Sequence, residues 1–100
     1  MRGSEIPRVT IIIPNWNTQH WLPGCLDGLQ IQTYQDFHIL LVDNGSTDDS
    51  VTFVRINYPQ VEILTFDTNL GFAAAVNAGI RRAASEYALT RNPPKSGICL

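Results

Sequence analysis

The sequence has few basic residues and no long apolar segment. Seven Lys and Arg against nine Asp and Glu leave a net charge of −2, without a broad cationic surface for a nucleic acid backbone. No apolar run approaches the roughly 20 residues that span a bilayer, and the N-terminus lacks the apolar core of a secretory signal. We therefore expect a cytoplasmic protein with no transmembrane segment and no nucleic acid partner.

Cysteine and the common phosphate-binding motifs are also scarce. Cys25 and Cys99 lie far apart and have no metal-ligand spacing, which favours a buried thiol and a tail thiol. The chain contains neither GxGxxG nor GxxxxGK followed by Ser or Thr. The spacing thus argues against a zinc or disulfide framework, and the usual nucleotide-binding loops are absent from the sequence.

What the chain does contain is the pattern of an α/β domain. Its 100 residues are 44% hydrophobic, enough for one small domain or part of a larger one. Apolar and β-branched runs predict four strands, at Val9 to Ile13, Phe37 to Val42, Val61 to Phe66 and Glu86 to Thr90. Pro14 is expected to close the first strand because proline cannot continue a central ladder.

Helical spacing separates these strands. It predicts one helix from Trp21, a second beginning at a capping box of Ser46 and Asp49, and a third with the inner face Phe72, Val76, Gly79, Ile80 and Ala83. Short connections between alternating elements imply right-handed crossovers. We therefore expect a three-layer α/β/α sandwich with a mainly parallel, Rossmann-like sheet.

Polar residues follow every predicted strand. They are Pro14 to Asn17, Asp43 to Ser46, Thr68 to Gly71 and Asn92 to Pro94. The carboxyl ends of parallel strands share one edge, where open α/β sheets bind ligands. Amides and a carboxylate suit a base or a ribose, and Trp16 can stack on a base at roughly 1–3 kcal/mol. This edge therefore predicts a nucleotide site.

A purely structural interpretation stands beside the functional one. Ser46, Thr47 and Asp49 are favoured as turn and cap residues, whereas Asp43 is favoured as functional. A cap is already supplied by Ser46, and a carboxylate closing a strand is costly unless it is paired. Since the three main loops carry no Lys or Arg, a diphosphate there would need a divalent cation or basic residues from elsewhere.

Three blocks carry a family resemblance: VTIIIPNWN, CLDGLQIQTYQDFHILLVDNGSTDDS and NLGFAAAVNAGIRRA. With them the chain resembles the N-terminal, nucleotide-binding half of the family 2 glycosyltransferases, inverting enzymes of the GT-A fold, and especially the rhamnosyltransferase-like branch. The resemblance implies a nucleotide-sugar-binding half over residues 9–92. Residues 1–8 are expected to be a leader or a disordered N-terminus, and residues 93–100 an atypical tail.

The resemblance also implies roles for single residues. Pro14, Trp16 and Asn17 fall in the loop that holds the base, and Asp43 with Asn44 would contact uracil or thymine and the ribose. Many members have a second Asp where this chain has Asn44. The family's loop near the diphosphate and sugar is represented by Asn69 and Gly71.

The metal site departs from the family pattern. The family binds Mg²⁺ or Mn²⁺ through an Asp in the loop after the fourth strand, and Pro94 stands at that position here. No catalytic residue and no metal ligand is therefore assigned within the chain. The expected function is the donor-binding part of an enzyme that transfers a sugar from a UDP- or dTDP-sugar to a glycan or lipid-linked acceptor, peripheral to a membrane in its complete form.

Two alternatives remain open at this point. A non-catalytic nucleotide-binding or scaffold module fits the missing metal carboxylate, and a flavodoxin- or receiver-like domain fits the acidic loop but not NLGFAAAVNAGI. For the piece by itself we expect no sugar transfer. We also expect self-association through exposed apolar surface.

Overall fold

Four parallel strands form the sheet in the computed structural model, which describes residues 9–30, 37–83 and 87–90. The strands are β1 (Val9–Asn15), β2 (Phe37–Asn44), β3 (Glu62–Phe66) and β4 (Tyr87–Thr90), in the spatial order β3-β2-β1-β4. Every pair is parallel. The predicted α/β class and the parallel sheet are confirmed.

The helices cover both faces of this sheet. α1 (Leu22–Gln30) follows a 3-10 turn, α2 is Ser50–Asn57, and α3 is Phe72–Arg82. One apolar core joins α1 and α2 to the sheet, and a second, smaller core lies on the face where α3 contributes Ala75. The strand order explains the division, because the chain steps one way from β1 to β3 and returns past β2 and β1 to reach β4, and crossovers between parallel strands are almost always right-handed.

The two central strands are longer than the sequence predicted. Pro14 was expected to end β1, but β1 continues through Pro14 to Asn15, and β2 continues to Asn44. Pro14 lies opposite Val42 of β2, and the described pairing of β1 with β4 runs from Val9 to Ile12. Polar residues that the sequence placed in loops are therefore the last residues of these strands, namely Asn15 in β1 and Asp43 and Asn44 in β2.

The predicted start of α2 is wrong. The helix begins at Ser50, and Asp49 at the N-cap position makes no side-chain capping bond. Ser46 is unavailable as a cap because its Oγ already accepts from Asn17 N at 2.9 Å and from Asn15 Nδ2 at 3.1 Å. The first turn is held instead by Asp48 Oδ1, which accepts from Ser50 N at 3.0 Å.

The predicted inner face of α3 is also partly wrong. Ala75 and Gly79 are the buried residues, whereas Phe72 and Ile80 are more than half exposed. The helix lies so close to β1 that a Cβ on Gly79 would come within 2.6 Å of Ile12 Cγ2. Small residues therefore face the sheet, and the large ones are displaced to the flank of the helix.

An ion-paired cluster ties the end of α3 to the amino ends of β2 and β3. His38 Nε2 lies 2.8 Å from Glu62 Oε1, and Arg82 Nε donates to Glu62 Oε2. Burial by itself would raise the pKa of Glu62, but hydrogen bonds from His38 and Arg82 lower that pKa overall. The cluster lies at the opposite end of the sheet from the polar loops.

None of the helices in the described part of the chain is long and apolar enough to cross a membrane.

We predict that Gly79→Val lowers the free energy of unfolding by about 1–3 kcal/mol, because the added methyl groups overpack the contact with Ile12. Urea denaturation would measure this change. The matched control is Ala73→Val on the exposed side of the same helix, which should cost no more than about 0.7 kcal/mol in helix propensity. Equal losses in both variants would contradict the close approach of α3 to β1.

Candidate functional site

The carboxyl ends of β1, β2 and β3 bring three polar segments together. We call residues 14–19, 43–49 and 67–71 the rim. The strand register places Asn15 opposite Asp43, and Asn44 opposite Phe66. The predicted meeting of these segments at one edge of the sheet is thus observed, and hydrogen bonds join them.

Asp43 is the centre of the rim and is only 3% exposed. Its Oδ1 accepts from Asn15 Nδ2 at 2.8 Å and from the Ser46 hydroxyl at 2.6 Å, while Oδ2 accepts from Ser46 N at 3.0 Å. A buried carboxylate is costly unless it is hydrogen-bonded, and these donors offset that cost. The carboxylate therefore connects β1 to the turn after β2.

Asn17 connects the first two rim segments. Its backbone is in the left-handed region at φ 52°, which Asn tolerates better than most residues. Its Oδ1 accepts from Thr47 N at 2.8 Å and from Asp48 N at 3.2 Å, and its own N–H donates to Ser46 Oγ at 2.9 Å. The segments 14–19 and 43–49 therefore behave as one hydrogen-bonded unit.

Asn44 connects the second rim segment to the third. Its side chain is 5% exposed, with Nδ2 donating to Gly71 O at 2.9 Å and Oδ1 accepting from Leu70 N at 2.7 Å. Beside it, Gly45 has φ 78°, and a Cβ there would lie 2.6 Å from the Thr68 carbonyl carbon. The backbone approach at Gly45 thus needs the absence of a side chain as well as a positive φ.

Other predicted site residues present surface to solvent. Trp16 is 51% exposed, Asn69 and Gly71 are exposed, and Pro14 is half-buried. Asn69 Oδ1 accepts from Gly71 N at 2.8 Å, and Gly71 has φ 95°. The structure therefore separates the predicted residues into a buried, bonded set and an exposed set. Whether they contact a nucleotide stays a prediction.

Sequence reasoning placed Asn15, Gly45 and Ser46 in the polar segments but did not assign their contacts. Asn15 was given no role of its own, Gly45 was given only a place in a turn, and Ser46 was assigned to a helix cap. The signal for Asn15 was available, because two parallel strands that each end in a polar residue place those residues side by side once the register is known.

The described carboxylates do not fit a resident divalent cation. No group of three His, Cys, Asp or Glu side chains that could hold a metal occurs among residues 9–30, 37–83 and 87–90. Asp43 is buried with both oxygens bonded, and Asp48 accepts from Ser50 and Gln19. Asn92 to Pro94, where the resemblance expects the metal loop, lies outside the described residues, so the Mg²⁺ or Mn²⁺ expectation stays a prediction.

The chain is similar to known sugar-transferring proteins. A family model described as "Glycosyl transferase family 2" matches residues 10–91. A "PGL/p-HBAD biosynthesis glycosyltransferase" of Mycobacterium bovis is 38% identical over 86 residues, covering 83% of this chain and 34% of that protein. The chain thus spans about a third of the length of this relative.

Two solved structures share the fold. Staphylococcus aureus TarS 1-349 in complex with UDP matches with a TM-score of 0.78 and 22% identity, over 86% of this chain and 27% of that one. A mannosyltransferase from Pyrobaculum calidifontis, in complex with GDP-Man and Mn²⁺, matches with a TM-score of 0.67 and 28% identity, over 81% and 26% of the two chains. The described sheet and helices are therefore the corresponding part of a GT-A fold.

We predict that Gly45→Ala loosens the rim more than Gly71→Ala does. Both variants place an L residue at positive φ, but only the Cβ added at position 45 would collide with backbone atoms, since a Cβ at Gly71 meets nothing within 4 Å. Urea denaturation should show the larger loss of unfolding free energy for Gly45→Ala, of order 1–3 kcal/mol. A Gly45→Ala variant as stable as wild type would contradict the contact with Thr68.

We also predict that Asp48→Asn destabilises the protein near neutral pH, with a difference from wild type that shrinks as the pH falls below about 4. Burial would raise the pKa of Asp48, but hydrogen bonds from Ser50 and Gln19 lower it overall. A depressed native pKa stabilises the fold above the unfolded pKa, and this contribution is lost as the pH falls through the native value. Denaturation at several pH values checks this, with the exposed Asp67→Asn as control.

Proposed function

Since the chain belongs to glycosyl transferase family 2, we propose that it is the part of a glycosyltransferase that binds the nucleotide of a sugar donor. The observation that supports this most directly is the rim, where three segments are hydrogen-bonded into one unit and leave an aromatic side chain exposed. Neighbours with the same fold bind UDP and GDP-Man. The proposed donor is a UDP- or dTDP-sugar.

In the proposed binding mode, the exposed rim residues contact the sugar donor and the buried ones hold the segments in place. Trp16, with Pro14 beside it, stacks on the base, because an exposed ring at the end of β1 offers a face to a pyrimidine. Asn69 and Gly71 lie toward the sugar diphosphate. Asp43 and Asn17 keep these segments in place. The lone pairs of the Asp43 carboxylate that Asn15 and Ser46 do not use face the base or the ribose.

The proposed reaction is transfer with inversion at the anomeric carbon. The acceptor oxygen forms a bond to that carbon as the bond to the diphosphate oxygen breaks, the diphosphate leaves with the electron pair, and the hydroxyl proton passes to a general base. We assign neither that base nor a metal ligand to the described residues. We therefore expect this chain by itself to bind nucleotide weakly and to transfer no sugar.

The acceptor and the location belong to the same proposal. A glycan or lipid-linked hydroxyl is the proposed acceptor, and a cytoplasmic protein would be peripheral to the membrane where that acceptor is lipid-linked. Self-association through the exposed apolar side chains, among them Phe72 and Ile80, stays a prediction.

A non-catalytic module is the second candidate. It is favoured by one observation, that the Asp43 and Asn44 side chains are bonded to the chain itself. The two candidates differ for the whole protein, because only the enzyme would consume a nucleotide sugar. Release of UDP from UDP-sugars in the presence of acceptors separates them.

We predict that Trp16→Ala weakens UDP or dTDP binding by about 1–3 kcal/mol, which is roughly 5- to 150-fold in Kd, through loss of base stacking. Calorimetric titration with UDP, dTDP and GDP, with and without Mg²⁺ or Mn²⁺, measures this and ranks the bases. Asp43→Ala is a poor substitute, because removing a buried hydrogen-bonded carboxylate would disturb the rim itself.

The matched control is Ile56→Ala, which truncates another exposed apolar side chain, on α2. Its affinity should equal that of wild type. The proposal fails if the wild-type chain binds none of the nucleotides, and the stacking role of Trp16 fails if both variants bind equally well.

A further inference from the structure

The Asn44 side chain uses both ends of its amide at once. Nδ2 donates to Gly71 O and Oδ1 accepts from Leu70 N, so the two backbone groups have opposite polarity. Only a side chain with a donor and an acceptor in this geometry satisfies both. An ionised carboxylate of the same size would accept from Leu70 but oppose the Gly71 carbonyl with a second negative oxygen.

The Gly71 carbonyl that Asn44 binds also begins α3. It accepts from Ala75 N at 3.2 Å, as the first backbone bond of that helix. Asn44 therefore holds the segment 67–71 and the start of α3 with one pair of bonds. The segment has little apolar anchoring of its own, because Leu70 is 59% and Phe72 57% exposed.

From these contacts we propose that Asn44 is a positioning residue, which holds segment 67–71 against β2 and so places Asn69 and Gly71 for the donor's sugar diphosphate. This inference rests on the proposed function. It assigns Asn44 no contact with the nucleotide. This role requires an amide at position 44, because the side chain must supply one donor and one acceptor together. A residue that is merely polar would not meet that requirement.

The variant Asn44→Asp turns this requirement into a pH-dependent signal. When protonated, the new carboxyl donates to Gly71 O and accepts from Leu70 N, as the amide does. When ionised, it loses the donor. Burial and the Gly71 carbonyl disfavour the charge, so the protonated form persists above the usual pKa of about 3.9.

The first experiment follows the backbone. In ¹⁵N-resolved NMR spectra of Asn44→Asp, the Leu70 and Gly71 amide signals should match wild type at acidic pH and move away as the carboxyl ionises. Asn77→Asp adds the same charge on the exposed side of α3 and should leave the Leu70 and Gly71 signals in place at every pH. Unchanged signals in Asn44→Asp across the titration would overturn the inference.

The second experiment measures UDP affinity, with the ratio to Asn77→Asp taken at each pH so that titration of UDP itself cancels. At pH 7.5 we expect Asn44→Asp to bind about tenfold more weakly, the equivalent of one buried hydrogen bond. At acidic pH the ratio should approach one. A loss of affinity that persists at acidic pH would contradict the requirement for a hydrogen-bond donor at position 44.

The outcomes separate this inference from the proposed function. If wild type binds UDP and Asn44→Asp binds equally well at pH 7.5, only the role of Asn44 is wrong. If wild type binds no nucleotide, the proposed function fails. The role of Asn44 in placing Asn69 and Gly71 for the nucleotide sugar then fails with it.

A measurement on wild type covers the case in which Asn44→Asp does not fold. The side-chain amide protons of Asn44 should exchange with solvent much more slowly than those of Asn77, because Asn44 is buried and bonded while Asn77 is exposed. Equal exchange rates would overturn the inference.

Discussion

The buried carboxylate of Asp43 is the constraint on which the rest of the rim depends. A carboxylate on a residue that is 3% exposed is tolerated only with several donors, and the chain supplies them from Asn15 and from the backbone and hydroxyl of Ser46. Satisfying Asp43 draws the segment after β1 against the turn after β2. Asn17 then has its acceptor in place for the backbone of residues 47 and 48.

The third segment reaches the rim through close packing of backbone. Gly45 lets the chain at Thr68 pass within contact distance, and Gly79 lets α3 lie directly against Ile12. Gly79 thus sets how closely α3 approaches β1, and Gly45 sets how closely the segment before α3 approaches the turn after β2. Asn44 completes the connection with two bonds to the backbone at Leu70 and Gly71. The exposed residues Trp16 and Asn69 depend on this framework for their positions.

The polar residues of the rim illustrate why residue type alone is a weak guide to role. An Asp after a strand suits a ligand as well as a scaffold, and the same side chains can do both only where acceptor capacity remains. Here most of the capacity of Asp43 and both ends of Asn44 are used within the chain. These internal bonds hold the three segments together without a ligand, which is what a scaffold needs.

Local periodicity determined the order and type of the elements, and the resemblance of three blocks determined the family. Both are properties of short stretches of chain, which explains why the parallel sheet and the Phe72–Arg82 helix were predictable. The start of α2 and the buried face of α3 were not, because the Ser46 oxygen accepts from Asn15 and Asn17 and because Gly79 lies against Ile12. Those contacts join residues that are distant in the chain, such as Asn15 and Asp43 at a separation of 28. Only the register of the folded strands decides which donor meets which acceptor, and therefore which polar side chains are left for a ligand.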